Sequence, residues 1–258
     1  MILRRVIEHV RKQEWTAIVI EFVLLVLGVF LGIQVANWNA AQAEGRLGRA
    51  YVQQLARDLR VDQDSLTTLT AYYSVVLQSV RETDALLRAP NPDPRALVIN
   101  AYRATEVRYG PQARATWDQM VSAGHVDLLP KGMAEGGLAQ YYGFDTARDI
   151  YDMGLASPYR RTVRGIIPIA MQVAIQAGCS DSNTAVGFVE TCEFDADPVE
   201  LKEVAQALRS DPAVLANLRE HYSTVANAVG NLGGTRAGVR GGIALLSAKS
   251  KAGDEARQ

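Results

Sequence analysis

The chain has little of what enzymes usually build sites from. It holds three histidines and two cysteines in 258 residues. His9, His125 and His221 are scattered, and there is no HExxH, no GxSxG and no carboxylate-rich metal cluster. Glu220-His221-Tyr222 reads as a solvated pair beside a core tyrosine. The expectation is a protein that is not an enzyme, with no catalytic residues, metal or cofactor. Excess charge is also missing. The net charge is −1, and the absence of a basic stripe argues against nucleic acid as a partner. Nothing reads as a sheet, and no proline interrupts the chain between Trp38 and Pro90. The hydrophobic share of 48% and the charged share of 21% are ordinary globular values.

What is there is concentrated. Residues 16–37, TAIVIEFVLLVLGVFLGIQVAN, form one apolar run between Trp15 and Trp38. A helix needs about 20 such residues to cross a bilayer core of about 30 Å. Trp15 and Trp38 suit the two membrane–water interfaces. A cleaved signal is the alternative, with Ala41-Gln42-Ala43 as its small-residue site. However, the run is long for a signal, and Ala43 lies well past its end. A buried core helix of this length is the weaker third possibility. The 220 residues beyond Trp38 carry 23 Lys+Arg against 25 Asp+Glu, so the large part is soluble and nearly neutral.

Within the apolar run, Gly28 and Gly32 form a GxxxG step that lets helix backbones approach closely in lipid. At about 100° per residue, Glu21, Gly28, Gly32 and Asn39 fall within roughly 40° of one another. A carboxyl facing lipid is costly, by roughly 3 kcal/mol on insertion scales. The stripe is therefore expected to face another transmembrane helix, either a copy of itself or a partner subunit. Alternatively Glu21, about 9 Å inward from Trp15, snorkels to the interface and the glycines are incidental. A proton-carrying Glu21 is a stronger version that its shallow, single placement supports poorly.

Arg4, Arg5, Arg11 and Lys12 precede the run, while Arg46, Arg49 and Arg57 follow it. The bias slightly favours a cytoplasmic N-terminus. Cys179 and Cys192 bracket one polar loop, and no other cysteine occurs. That pattern suits a disulfide made in an oxidising compartment, here the bacterial periplasm. Two unrelated free thiols are the alternative. Residues 1–14 are expected to be a short amphipathic cytoplasmic segment that meets lipid headgroups, too short for an enzyme or signalling domain.

The rest reads as helices. Leu47, Tyr51, Leu55, Leu59, Leu66, Leu69, Tyr73, Leu77 and Val80 recur at helical spacing, so the apolar helix is expected to continue to about Leu87. Further helices are expected over 94–106, over 112–123 with Gly124 as the stop, from about 131, over 159–177, from Asp197-Pro198 to about 209, and from Asp211-Pro212. Core candidates include Trp117, Met120, Leu128, Met153, Val173 and Tyr222, with Asp118 as a cap or buried partner. Gly234, Gly238 and Gly242 interleave with Arg236 and Arg240. This tail is either a close-contact helix stripe or a flexible Gly-rich arm. No strand precedes it and no GKS or GKT follows, so it is not a phosphate cradle.

Two blocks carry a resemblance. Gly32-Ile33-Gln34-Val35-Ala36-Asn37-Trp38-Asn39 resembles the membrane-exit motif of an uncharacterised family of bacterial single-span membrane proteins, a domain of unknown function. Thr116-Trp117-Asp118-Gln119-Met120-Val121-Ser122-Ala123-Gly124, running on to Leu128-Leu129 and Tyr141-Tyr142, is similar to that family's second patch. The likeness covers residues 1 to about 145. Members often have a charged residue where this chain has Ala40. The resemblance implies a membrane anchor and a helical extracytoplasmic domain, and it supplies no catalytic residues.

Taken together, the expectation is an all-α protein: one N-terminal transmembrane helix continuing into a periplasmic helical bundle. Its parts would be segment 1–14, span 15–38, bundle 39–230 and Gly-rich basic arm 231–258. The expected role is a non-enzymatic interaction or accessory protein in an oligomeric complex of the bacterial inner membrane. The rival is a periplasmic small-ligand sensor acting through a partner.

Overall fold

The computed structural model describes residues 15–179 and 192–255. Segment 1–14 and the interior of the cysteine loop lie outside the described residues. Those described are all helical or irregular, without a strand. The chain divides into two compact units, Met1–Tyr51 and Val52–Gln258.

Helix α1 runs from Trp15 to Arg88 without a break. Between Trp15 and Trp38 its large apolar side chains are exposed, Phe22, Leu25 and Leu31 among them. Leu47, expected as core, is exposed at 38%.

In the second unit the helix changes character. Leu55, Leu59, Leu66, Leu69, Tyr73, Val76 and Val80 are buried at steps of three, four and seven. These steps mark one face of a helix. The short helices that follow are α2 (Pro94–Arg103), α3 (Ala115–Ala123), α4 (Ala139–Gly143), α5 (Thr146–Leu155), α6 (Pro158–Ile166), α7 (Ile169–Cys179) and α8 (Pro198–Ser210). The last, α9, runs from Pro212 to Glu255. It lies antiparallel to the second half of α1: Tyr222 faces Arg81, and Gly242 faces Leu59. Helix α2 packs on α8, and α5 and α6 pack on α9.

Four helices start on the same local chemistry, an oxygen-bearing cap followed by proline. Asp93, Ser157, Asp197 and Asp211 accept from the backbone N–H groups of Arg95, Arg160, Val199 and Ala213. The proline at the first helical position has no N–H to lose and a φ already suited to a helix. Helix α3 stops at Gly124, which takes φ 69°, a left-handed conformation glycine adopts without a Cβ clash.

The structure departs from the expected elements in two places. The helix expected over 159–177 is two helices bent by 106°. Pro168 cannot donate to the Arg164 carbonyl, and the Gln172 side chain donates there instead, at 2.9 Å, and to Ile167 O at 2.8 Å. The helix expected from 131 is broken by a kink at Gly137 within Ala134–Leu138, then continues as α4 and α5. Arm 231–258, left open as a helix stripe or a flexible arm, is helical through Glu255, the second half of α9, with Leu232, Val239 and Leu246 buried. Among the core candidates, Trp117 and Met120 are buried. Met153, Val173 and Tyr222 are exposed at 48%, 59% and 41%.

Candidate functional site

The expected helix-contact residues Glu21, Gly28, Gly32 and Asn39 all lie on one uninterrupted helix and are exposed. A Cβ at Gly28 or Gly32 would meet nothing within 4 Å. Trp15 and Trp38, at either end of the run, are exposed at 63% and 64%. The helix is long and apolar enough to cross a membrane, and its most apolar window, mean hydropathy 2.6, has no buried residue.

The second unit holds a different feature. A half-open cavity of about 630 Å³ lies between the Gly-rich half of α9, the Leu59 turn of α1 and the segment from Gly132 to Thr146. Leu59, Met133, Leu138 and Val239 are buried at its base, and Phe144 and Leu245 stand exposed at its mouth. Its walls are low because glycine builds them. A Cβ at Gly238 or Gly241 would meet nothing within 4 Å, and one at Gly242 would only touch Leu59 at 3.5 Å. Across from them the chain takes φ 81° at Gly132 and 149° at Gly137, values that a side chain would strain. The chain kinks at Gly137 within Ala134–Leu138.

Gln140 also lines the cavity, and the end where the cavity meets a second space is polar, with Tyr141, Thr146 and Thr235. These three also line that second space, of about 10 Å³, which reaches Asp62, Gln112 and Asp145, room for about one water. Asp62 is 2% exposed. It accepts from the Tyr141 hydroxyl at 2.8 Å and from Ala113 N–H at 2.7 Å. Burial raises its carboxyl above the ordinary range, opposed by those hydrogen bonds and assisted by Asp58 and Asp145. Burial and the adjacent Asp62 push the Tyr141 phenol upward as well, so it stays a hydrogen-bond donor. Gln112 donates to the Tyr141 and Phe144 carbonyls at 3.0 and 2.9 Å. These bonds fix its amide orientation, and its Oε1 is buried with no hydrogen-bond partner among the described residues.

The Thr116–Leu129 block anchors this wall. Trp117 stacks on Tyr142 with ring centroids 5.2 Å apart. Asp118, expected as a cap or buried partner, instead makes an exposed ion pair with Arg114 at 3.0 Å. The carboxylates that hold the start of α3 come from α1: Asp58 accepts from Thr116 N–H at 3.3 Å, and Asp62 accepts from Ala113. Both sit one turn apart among the polar positions of an amphipathic helix, so only their tertiary partners distinguish them from solvated charges. Leu129, not Leu128, is the buried leucine of the block.

His221 reverses its expected environment. It is 5% exposed, while Tyr222 faces outward. Its Nε2 lies 2.8 Å from Ala104 O and its Nδ1 3.0 Å from Ser157 Oγ. The carbonyl can only accept, which assigns the proton to Nε2 and makes Ser157 the donor to Nδ1. The ring stacks on Tyr159 at 5.2 Å. Cys179 and Cys192 are joined as a disulfide with Cα atoms 4.5 Å apart. No group of three or more His, Cys, Asp or Glu among the described residues could hold a metal ion.

Comparison with family models, curated proteins and solved structures returns no match. The likeness of the 32–39 and 116–129 motifs therefore stands on those residues alone.

Proposed function

We propose that this is a membrane-anchored, non-enzymatic interaction protein of a bacterial inner membrane. Its N-terminus is cytoplasmic and its helical domain periplasmic. The helix between Trp15 and Trp38 spans the bilayer and packs against a second copy or a partner subunit through Glu21, Gly28, Gly32 and Asn39. One observation carries this reading: the most apolar window of α1 buries none of its side chains. Left in water, each such Leu, Val, Ile or Phe forgoes roughly 1.5–3 kcal/mol of burial. Lipid removes that cost, and a partner helix removes the separate cost of the Glu21 carboxyl. The disulfide fits an oxidising compartment.

The test is assembly in mild detergent. Gly28→Ile and Gly32→Ile fill the proposed contact and are expected to abolish crosslinking or co-purification of the partner helix while leaving the chain in the membrane. Unchanged assembly would remove the contact from the account. The cavity in the second unit supports a second reading, a small-ligand sensor that passes its signal through the same partner.

A further inference from the structure

The cavity beside α9 has the marks of a built site. Its volume of about 630 Å³ lies in the range of small-molecule pockets, roughly 300–1,000 Å³. It exists because Gly238, Gly241 and Gly242 leave α9 bare where side chains would close it. Each glycine inside a helix costs about 1 kcal/mol relative to alanine, so the open wall opposes stability. Phe144 and Leu245, 65% and 60% exposed, extend the apolar lining to the mouth, where an apolar body would cover them.

The polar end narrows the choice of ligand. The space behind Tyr141 is lined by Asp62, Asp145 and Gln112, whose Oε1 has no hydrogen-bond partner among the described residues. Thr146 and Thr235 offer hydroxyls at the junction of the two spaces. No lysine, arginine or histidine lines either space among the described residues. Such an end repels an anionic head and lacks the cation that would neutralise one. It accepts hydrogen bonds from a donor.

We propose that this cavity binds a single-chain amphiphile, its apolar chain lying along the Gly238–Gly242 wall and an uncharged or cationic donor group reaching the Tyr141 end. The inference deepens the sensor reading and is independent of whether α1 contacts a second helix.

The experiment uses the full chain in lipid nanodiscs with three photoactivatable diazirine probes of equal chain length, an alkylamine, an alkanol and an alkanoate. Adduct positions are read by peptide mass spectrometry. The amine and alkanol should label the peptides around 138–144 and 238–245 at least about tenfold more than the alkanoate. Gly238→Leu should cut that labelling about tenfold while adducts on residues 18–35 stay unchanged. Gly241→Leu serves as the second filler if Gly238→Leu loses its helical circular dichroism or its disulfide. Labelling confined to residues 18–35, labelling indifferent to the fillers, or equal labelling by the alkanoate would each overturn the proposal. So would exclusion of all three probes by a second copy or a partner polypeptide seated on the cavity.

Discussion

The surroundings of His221 restrict its charge. Burial lowers its pKa below the ordinary histidine value, and the bond to the Ala104 carbonyl only partly offsets this. The folded state therefore binds a proton less readily than the unfolded chain. Its contribution to stability is complete above the unfolded histidine pKa of about 6.5 and is lost as pH falls from there toward the folded value. The melting temperature should accordingly drop on acidification from neutral pH to pH 5, and His221→Gln should flatten that dependence. An unchanged slope in the variant would contradict the assignment. In the sequence this position gave no such signal. Glu220, His221 and Tyr222 fall on successive faces of α9, and only the placement of Ala104, Ser157 and Tyr159 decides which face is inward.

At the scale of elements, local chemistry was the legible part. Asp-Pro pairs at 197–198 and 211–212 mark helix starts by hydrogen bonds spanning two residues, so no distant partner is needed to find them. The bend at Pro168 was not found, because the apolar positions of α6 and α7 keep a helical rhythm across it. Its stability depends on Gln172, whose amide serves the Arg164 carbonyl that the proline leaves open and the Ile167 carbonyl beside it. Gln172→Leu should lower unfolding stability by about 1–3 kcal/mol, the usual cost of unpaired buried polar groups, measured as a shift in denaturant midpoint. A neutral substitution would show that water already serves those carbonyls. The tail was left open between a helix and a flexible arm for a different reason. Gly234, Gly238 and Gly242 each weaken a helix by about 1 kcal/mol, yet burial of Leu232, Val239 and Leu246 outweighs them, and burial of that kind is a tertiary fact. The cavity was equally invisible, since it is the complement of residues from α1, α9 and the Gly132–Thr146 segment.

For the whole molecule, the long apolar helix and the all-helical class were legible from periodicity, and the pairing of Cys179 with Cys192 from their number and the loop between them. The cavity and the α1 carboxylates that cap α3 were not, because both depend on long-range neighbours. The disulfide closes a short loop, 13 residues apart in sequence. Closing such a loop contributes roughly 3 kcal/mol in the chain-entropy model. Alkylation of the two thiols in protein from native membranes should fail without reductant. Full labelling would count against an oxidising compartment. The central claim is that the domain after Trp38 stands outside the cytosol while the chain stays anchored in lipid. Val199, 63% exposed at the start of α8, gives a direct probe. With Val199→Cys and a membrane-impermeant maleimide on intact spheroplasts, the account predicts labelling of a full-length, membrane-bound chain before lysis. Labelling that appears only after the membrane is opened, or a shortened chain recovered free in solution, would contradict it.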